Sequence, residues 1–123
     1  MKKGYLAHKC YCAGAIYHLH TVFCQRNKLL SINPFSNETA NTIFCDGMLL
    51  VVNKEFDTHK EHFLSLLQQQ LNVNPLLTID KAIIDNEILS SHNAVTGEAC
   101  SIYSITSDNT LPIATLSILK VSE

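Results

Sequence analysis

Over the first third of the chain apolar and polar positions alternate every second residue, the period of a half-buried strand. Tyr5 to Tyr11 carries this alternation, and "CAGA" supplies small turn residues. "IYHLHTVFC" from Ile16 to Cys24 resumes it with β-branched and aromatic side chains. "QRNK" reads as a second, polar turn, "LLSI" as a further extended run that Pro34 stops, and "SNETAN" as a loop. "TIFCDGMLLVV" places two short apolar strands on either side of Asp46-Gly47, a dipeptide that favours tight turns. The period then changes. Phe63, Leu64, Leu67 and Leu71 have helical spacing with "QQQ" opposite, which predicts a helix over Thr58–Leu71. "NVNP" ends it, because the residue before Pro75 disfavours the helical region.

"TIDKAIIDNEILSS" carries mixed signals: Ile79, Ala82 and Ile83 suit a second helix, and the β-branched run also suits a strand. Helix is preferred, so the helical insert is placed over about 58–90. After Gly97 the chain is extended again, as "ACSIYSIT", the polar turn "SDNT" and "LPIATLSILKV". Strands, helix, strands predicts a single α+β, β-rich domain over residues 1–123. Its mixed, buckled sheet, pseudo-barrel or sandwich-like, is built from both chain ends (about 5–53 and 97–121), with one or two helices between.

Composition sharpens this picture. A chain of 123 residues, 46% hydrophobic and 16% charged, describes a soluble protein with a rather apolar exterior, for which self-association is expected. A net charge of −2, with nine scattered Lys and Arg, gives no electrostatic reason to expect nucleic acid. No run approaches the ~20 apolar residues of a membrane span. "MKK" resembles the start of a secretory signal, but His8 and Lys9 interrupt the apolar run that should follow. Five cysteines, an odd number without a CxxC pair, read as reduced thiols, so a cytoplasmic location is expected.

Two clusters could carry chemistry. In "DTHKEH", Asp57 to His62, two histidines and two carboxylates could form part of a metal site. The preferred reading is a helix start. Thr58-x-x-Glu61 has the form of a capping box, Asp57 and Glu61 suit the positive helix end, and His59 and His62 then lie in the first turn. "HKEH" also lacks the i, i+4 spacing of the zinc-protease helix. In the second cluster, His8, Cys10 and Cys12 share a strand face, as do His18 and His20 on the next strand. If those faces coincide in a hairpin, they present a soft ligand set suited to zinc. Ordinary packing of cysteines as small hydrophobes is the preferred alternative.

"DGMLLVVNKEFDTH" resembles the segment that leads from the small β domain of metal-dependent amidohydrolases into their catalytic β/α barrel, D-G-x-h-h-h-P-G-h-h-D-x-H-x-H. Asp46, Gly47, Leu49 to Val52, Phe56, Asp57 and His59 match it. "TGEACSIYSI" from Thr96 to Ile105 is similar to the strand by which such chains return to complete the small domain. Asn53-Lys54 replace the Pro-Gly, Glu61 stands where the second metal histidine belongs, and Cys100 takes the place of the returning aspartate. Only about 40 residues separate His59 from Gly97, against about 250 for a barrel.

The resemblance therefore implies the small composite domain without its catalytic barrel. The expected function is that of a non-catalytic, stand-alone module, without cofactor, acting as a homodimer or on a larger protein partner. Apolar runs such as "MLLVV", "LPIA" and "LSIL" are expected to offer the associating surface. The competing expectation is a small zinc-binding protein or a metal-dependent hydrolase of non-peptide carbon–nitrogen bonds. It would use His59, His62, His8, Cys10 or Cys12.

Overall fold

Two tight turns set up the sheet. Ala13 (φ 50°) with Gly14 (φ 85°), and Arg26 (φ 53°) with Asn27 (φ 61°), are consecutive left-handed pairs. Such pairs match the twist of the strands they join. They link β1 (Lys2–Cys12), β2 (Ala15–Gln25) and β3 (Lys28–Pro34) into an antiparallel meander. In this computed structural model residues 2–36, 41–108 and 115–122 are described. The middle of "SNETAN", the end of "SDNT" and the run "LPIA" lie outside them.

The chain then passes through β4 (Thr42–Phe44) and β5 (Met48–Asn53). The two do not fold against each other across Asp46-Gly47. Both run parallel to β1, β4 beside Gly4–Leu6 and β5 beside Lys9–Cys12, so the turn is a jog within one line. Gly47 allows the jog: its φ is +77°, and a Cβ there would collide with the Ile105 carbonyl. Helices α1 (Lys60–Val73), α2 (Ile79–Ile84) and α3 (Glu87–Ser90) follow a short 3-10 turn, Lys54–Thr58. β6 (Cys100–Asp108) and β7 (Thr115–Lys120) then complete a seven-stranded mixed sheet. Its order is β3-β2-β1-β5-β6-β7, with β4 beside β1. The fold is α+β and β-rich, from strands of both chain ends.

The sheet is buckled because its β3 edge curls round to meet the segment that leads into β6. Leu29 N–H donates to Glu98 O (3.0 Å), Gly97 N–H to Leu29 O (2.7 Å) and Cys100 N–H to Asn27 O (2.8 Å). Two cores result. One lies within the curl and includes Tyr5, Ala7, Cys10, Val22, Leu49 and Ile102. The other lies between the sheet and the helices and includes Tyr11, Leu50, Val52, Phe56, Phe63 and Leu67.

Residues 48–52 of β5 are therefore buried on both faces, Leu49 and Val51 inward, Met48, Leu50 and Val52 beneath the helices. This overturns the expectation that "MLLVV" offers an apolar surface. The inserted helices, through Phe63, Leu67 and Leu71 at every fourth position, cover it. Of the apolar side chains in "LSIL" only Leu119 is largely exposed.

Candidate functional site

The helix start does not take the predicted form. Asn53 opens the 3-10 turn, its Oδ1 accepting from Phe56 N–H at 3.2 Å. Helix α1 begins one turn later, with His59 at its N-cap and no side-chain cap. Thr58 donates its hydroxyl to the Glu55 carbonyl (3.0 Å) instead of accepting from Glu61 N–H. The capping box fails because the 3-10 turn already organises residues 54–58 and gives Thr58 a nearer backbone acceptor.

Asp57 is held from the sheet. It accepts from the Tyr103 hydroxyl and from Lys120 Nζ at 3.0 Å. The contacts join the 3-10 turn to β6 and β7. Burial alone would raise the Asp57 carboxyl, but these donors outweigh it and hold the group below its usual range. Burial first, and the carboxylate second, push the Tyr103 hydroxyl well above its own. Asp57 thus works as an anionic staple. His59 lies beside His92, ring centroids 4.7 Å apart, and His92 Nδ1 donates to the Ile88 carbonyl at 2.7 Å.

The hairpin cluster separates in a way that the turn dictates. The two-residue turn pairs Cys10 with Tyr17 and Cys12 with Ala15, while His18 faces Lys9 and His20 faces Ala7. Directly paired residues share a face, so His18, opposite Lys9, does not join the cysteines, while His20, beside Ala7, turns its ring to Tyr17 and its Nδ1 to the His18 carbonyl at 2.9 Å. The regular inward alternation of β1 also breaks at His8, opposite Leu19 with φ 54°. His8 turns out to solvent against Phe44, whereas Cys10 and Cys12 are buried. Burial, with Cys12 adding to it, pushes the Cys10 thiol up to about 12. Burial, with Cys100 nearby, pushes Cys12 up to about 11. Raised thiols of this kind are poor nucleophiles at neutral pH. Among the described residues no three or more His, Cys, Asp or Glu side chains are grouped to hold a metal ion.

A concavity lies elsewhere, among the helices. A groove of about 780 Å³ runs between α1 and the α2–α3 pair. His62, Leu66, Gln69 and Val73 form one wall, at helical spacing on the side of α1 away from Phe63 and Leu67. Leu77, Asn86 and Ile88 are on the other side. That wall is fixed by two capped helix starts. Thr78 Oγ1 accepts from Lys81 N–H (3.2 Å), and the buried Asn86 Oδ1 accepts from Leu89 N–H (3.0 Å). The floor is apolar and the rim amide-rich, with Asp85 paired to Lys81 at 3.0 Å. At the end of the groove Val73 of its wall is 78% exposed, and Leu76, just past α1, is 92% exposed.

Of the residues singled out in the sequence, only His62 lines this groove. Its helical spacing was visible in "HFLSLLQQQLNV", but the second wall comes from a segment whose sequence signals were mixed. Among the described residues no helix is long and apolar enough to cross a membrane. No protein-family model, no curated protein and no solved structure matches the chain.

Proposed function

We propose that the protein is a non-catalytic module that works by self-association, a second copy docking on the face formed by α1 and the α2–α3 pair. The observation that carries this reading is the adjacency of ridge and groove. The exposed Val73, at the end of the groove wall, and Leu76, just past it, form a ridge at the mouth of a concavity lined by Leu66, Leu77 and Ile88. A two-fold interface needs a patch complementary to itself, and a ridge next to a groove satisfies that: each copy's ridge enters the other's groove. A stable contact of this kind buries upward of roughly 1,000 Å² in total.

The reading keeps the kinship with the small domain of amidohydrolases as part of the proposal. Its supports are the Asp46-Gly47 to His59 motif, the sheet shared by both chain ends, and helices inserted where that family inserts its barrel. The non-catalytic character is supported by Asp57, whose carboxylate is engaged by Tyr103 and Lys120. Light scattering on the purified chain at micromolar concentration tests the proposal, with a dimer as the expected result. Val73→Glu combined with Leu76→Glu should yield a folded monomer with an unchanged circular dichroism spectrum, since neither side chain lies in a core. A monomeric wild type, or a dimer indifferent to both substitutions, would overturn it.

A further inference from the structure

All five cysteines are buried, and four of them lie on the strands that wall the curled half of the sheet: Cys10 and Cys12 on β1, Cys24 on β2, Cys100 at the start of β6. Two of these thiols touch. Cys24 Sγ and Cys100 Sγ are 3.7 Å apart, although 76 positions separate them in the chain. The contact sits where the sheet closes on itself, with Lys28 bridged to Ala99 and Cys100 N–H donating to Asn27 O.

We propose that Cys24 and Cys100 form a dithiol site, oxidised to an intramolecular disulfide by a small neutral peroxide, which locks this seam of the sheet. The geometry carries the proposal. Thiols already in van der Waals contact need only small side-chain rotations and a slight approach to bond, and the backbones on both sides of the seam are tied by hydrogen bonds. Cys24 is 6% and Cys100 1% exposed, so a small uncharged oxidant has the advantage over bulky disulfides. A hollow of about 280 Å³ beside Lys54, Asn93, Glu98 and Ala99 adjoins the outer side of the seam.

The two sulfurs are not equivalent. The hydrogen bond from Cys24, together with the more distant Lys54 ammonium, draws the Cys100 thiol below its ordinary range against the effect of burial. The same hydrogen bond, with burial, raises Cys24. Cys100 also follows Ala99, which lines the hollow together with Lys54, and is assigned the first attack. Its thiol ionises, the thiolate attacks one peroxide oxygen, the O–O bond breaks, and the departing hydroxide takes up the proton that ionisation released and leaves as water. The product is a sulfenic acid on Cys100. Cys24 then attacks that sulfur, the S–O bond breaks, and the hydroxyl leaves with the Cys24 proton as a second water. Two thiols lose two electrons and one peroxide is reduced to two waters.

The test treats the full-length, reduced protein with a few equivalents of hydrogen peroxide, then blocks free thiols and maps peptides by mass spectrometry. The expected result is a loss of two hydrogens per chain, a crosslink joining the Cys24 and Cys100 peptides, and three alkylated cysteines. The melting temperature should rise by at least about 5 °C, because the bridge closes a long loop in the unfolded chain, and dithiothreitol should reverse both changes. Cys45→Ser should leave the reaction intact, and Cys24→Ser should stop at an oxidised Cys100 without a crosslink. Peptide mapping of the wild type decides the matter even where a variant fails to fold. A crosslink between other cysteines, over-oxidation to sulfinic acid without a disulfide, or five unmodified thiols would each overturn the proposal.

Discussion

Replacing Asp57 by Asn tests whether this residue acts as a structural staple. The substitution keeps the shape and removes the charge that receives the Tyr103 hydroxyl and Lys120 Nζ. Hydrogen bonds to a charged group are each worth about 1.5–3 kcal/mol when buried. Here the Asp57 and Lys120 side chains are 31% and 30% exposed, so solvent screening reduces that worth. Asn retains one acceptor for Tyr103, which leaves a loss of about 2 kcal/mol at pH 7. For a chain of this length that corresponds to a fall in melting temperature of about 6–10 °C.

The pH dependence gives the sharper signature. The folded carboxyl titrates below its unfolded value, so between the two the unfolded chain binds more protons and stability rises with pH. The contribution is complete above the unfolded value of about 3.9 and is lost as pH falls through the depressed folded one. Urea unfolding followed by circular dichroism should therefore show the wild-type advantage at pH 7 shrinking steadily toward zero below pH 4. An Asp57→Asn protein as stable as wild type at pH 7 would refute the staple. So would a deficit that stays constant into acid.

The corrected helix start makes its own claim: Asn53→Ala should cost about 1 kcal/mol through loss of the cap on the 3-10 turn, while Thr58→Ala should cost less than about 0.5 kcal/mol. Chemical denaturation of the two variants side by side checks the order. Gly47→Ala should be among the more damaging single changes, at about 3 kcal/mol or more, since a positive φ is combined with a collision at Ile105 O and a 2.8 Å approach to the Thr106 methyl. A melting curve within 2 °C of wild type would show that the jog between β4 and β5 tolerates a side chain.

What the sequence determined by itself was local. Period-two alternation, "AG" and "RN" between apolar runs, and the Phe63/Leu67/Leu71 stripe specified strands, turns and a core-facing helix because each depends on neighbours within a few residues. It also announced a sheet drawn from both chain ends. Only tertiary structure decided the rest. Which faces coincide in the first hairpin depended on the turn register and on the break at His8 and Leu19. Whether Thr58 caps a helix depended on a 3-10 turn that the Asn53 cap and buried Phe56 hold in place. The groove needs α1 set beside α2 and α3, and the Cys24–Cys100 contact needs β3 to curl onto the start of β6. Those are contacts between residues far apart in the chain, and no local periodicity encodes them. They follow from burying both faces of β5 at once.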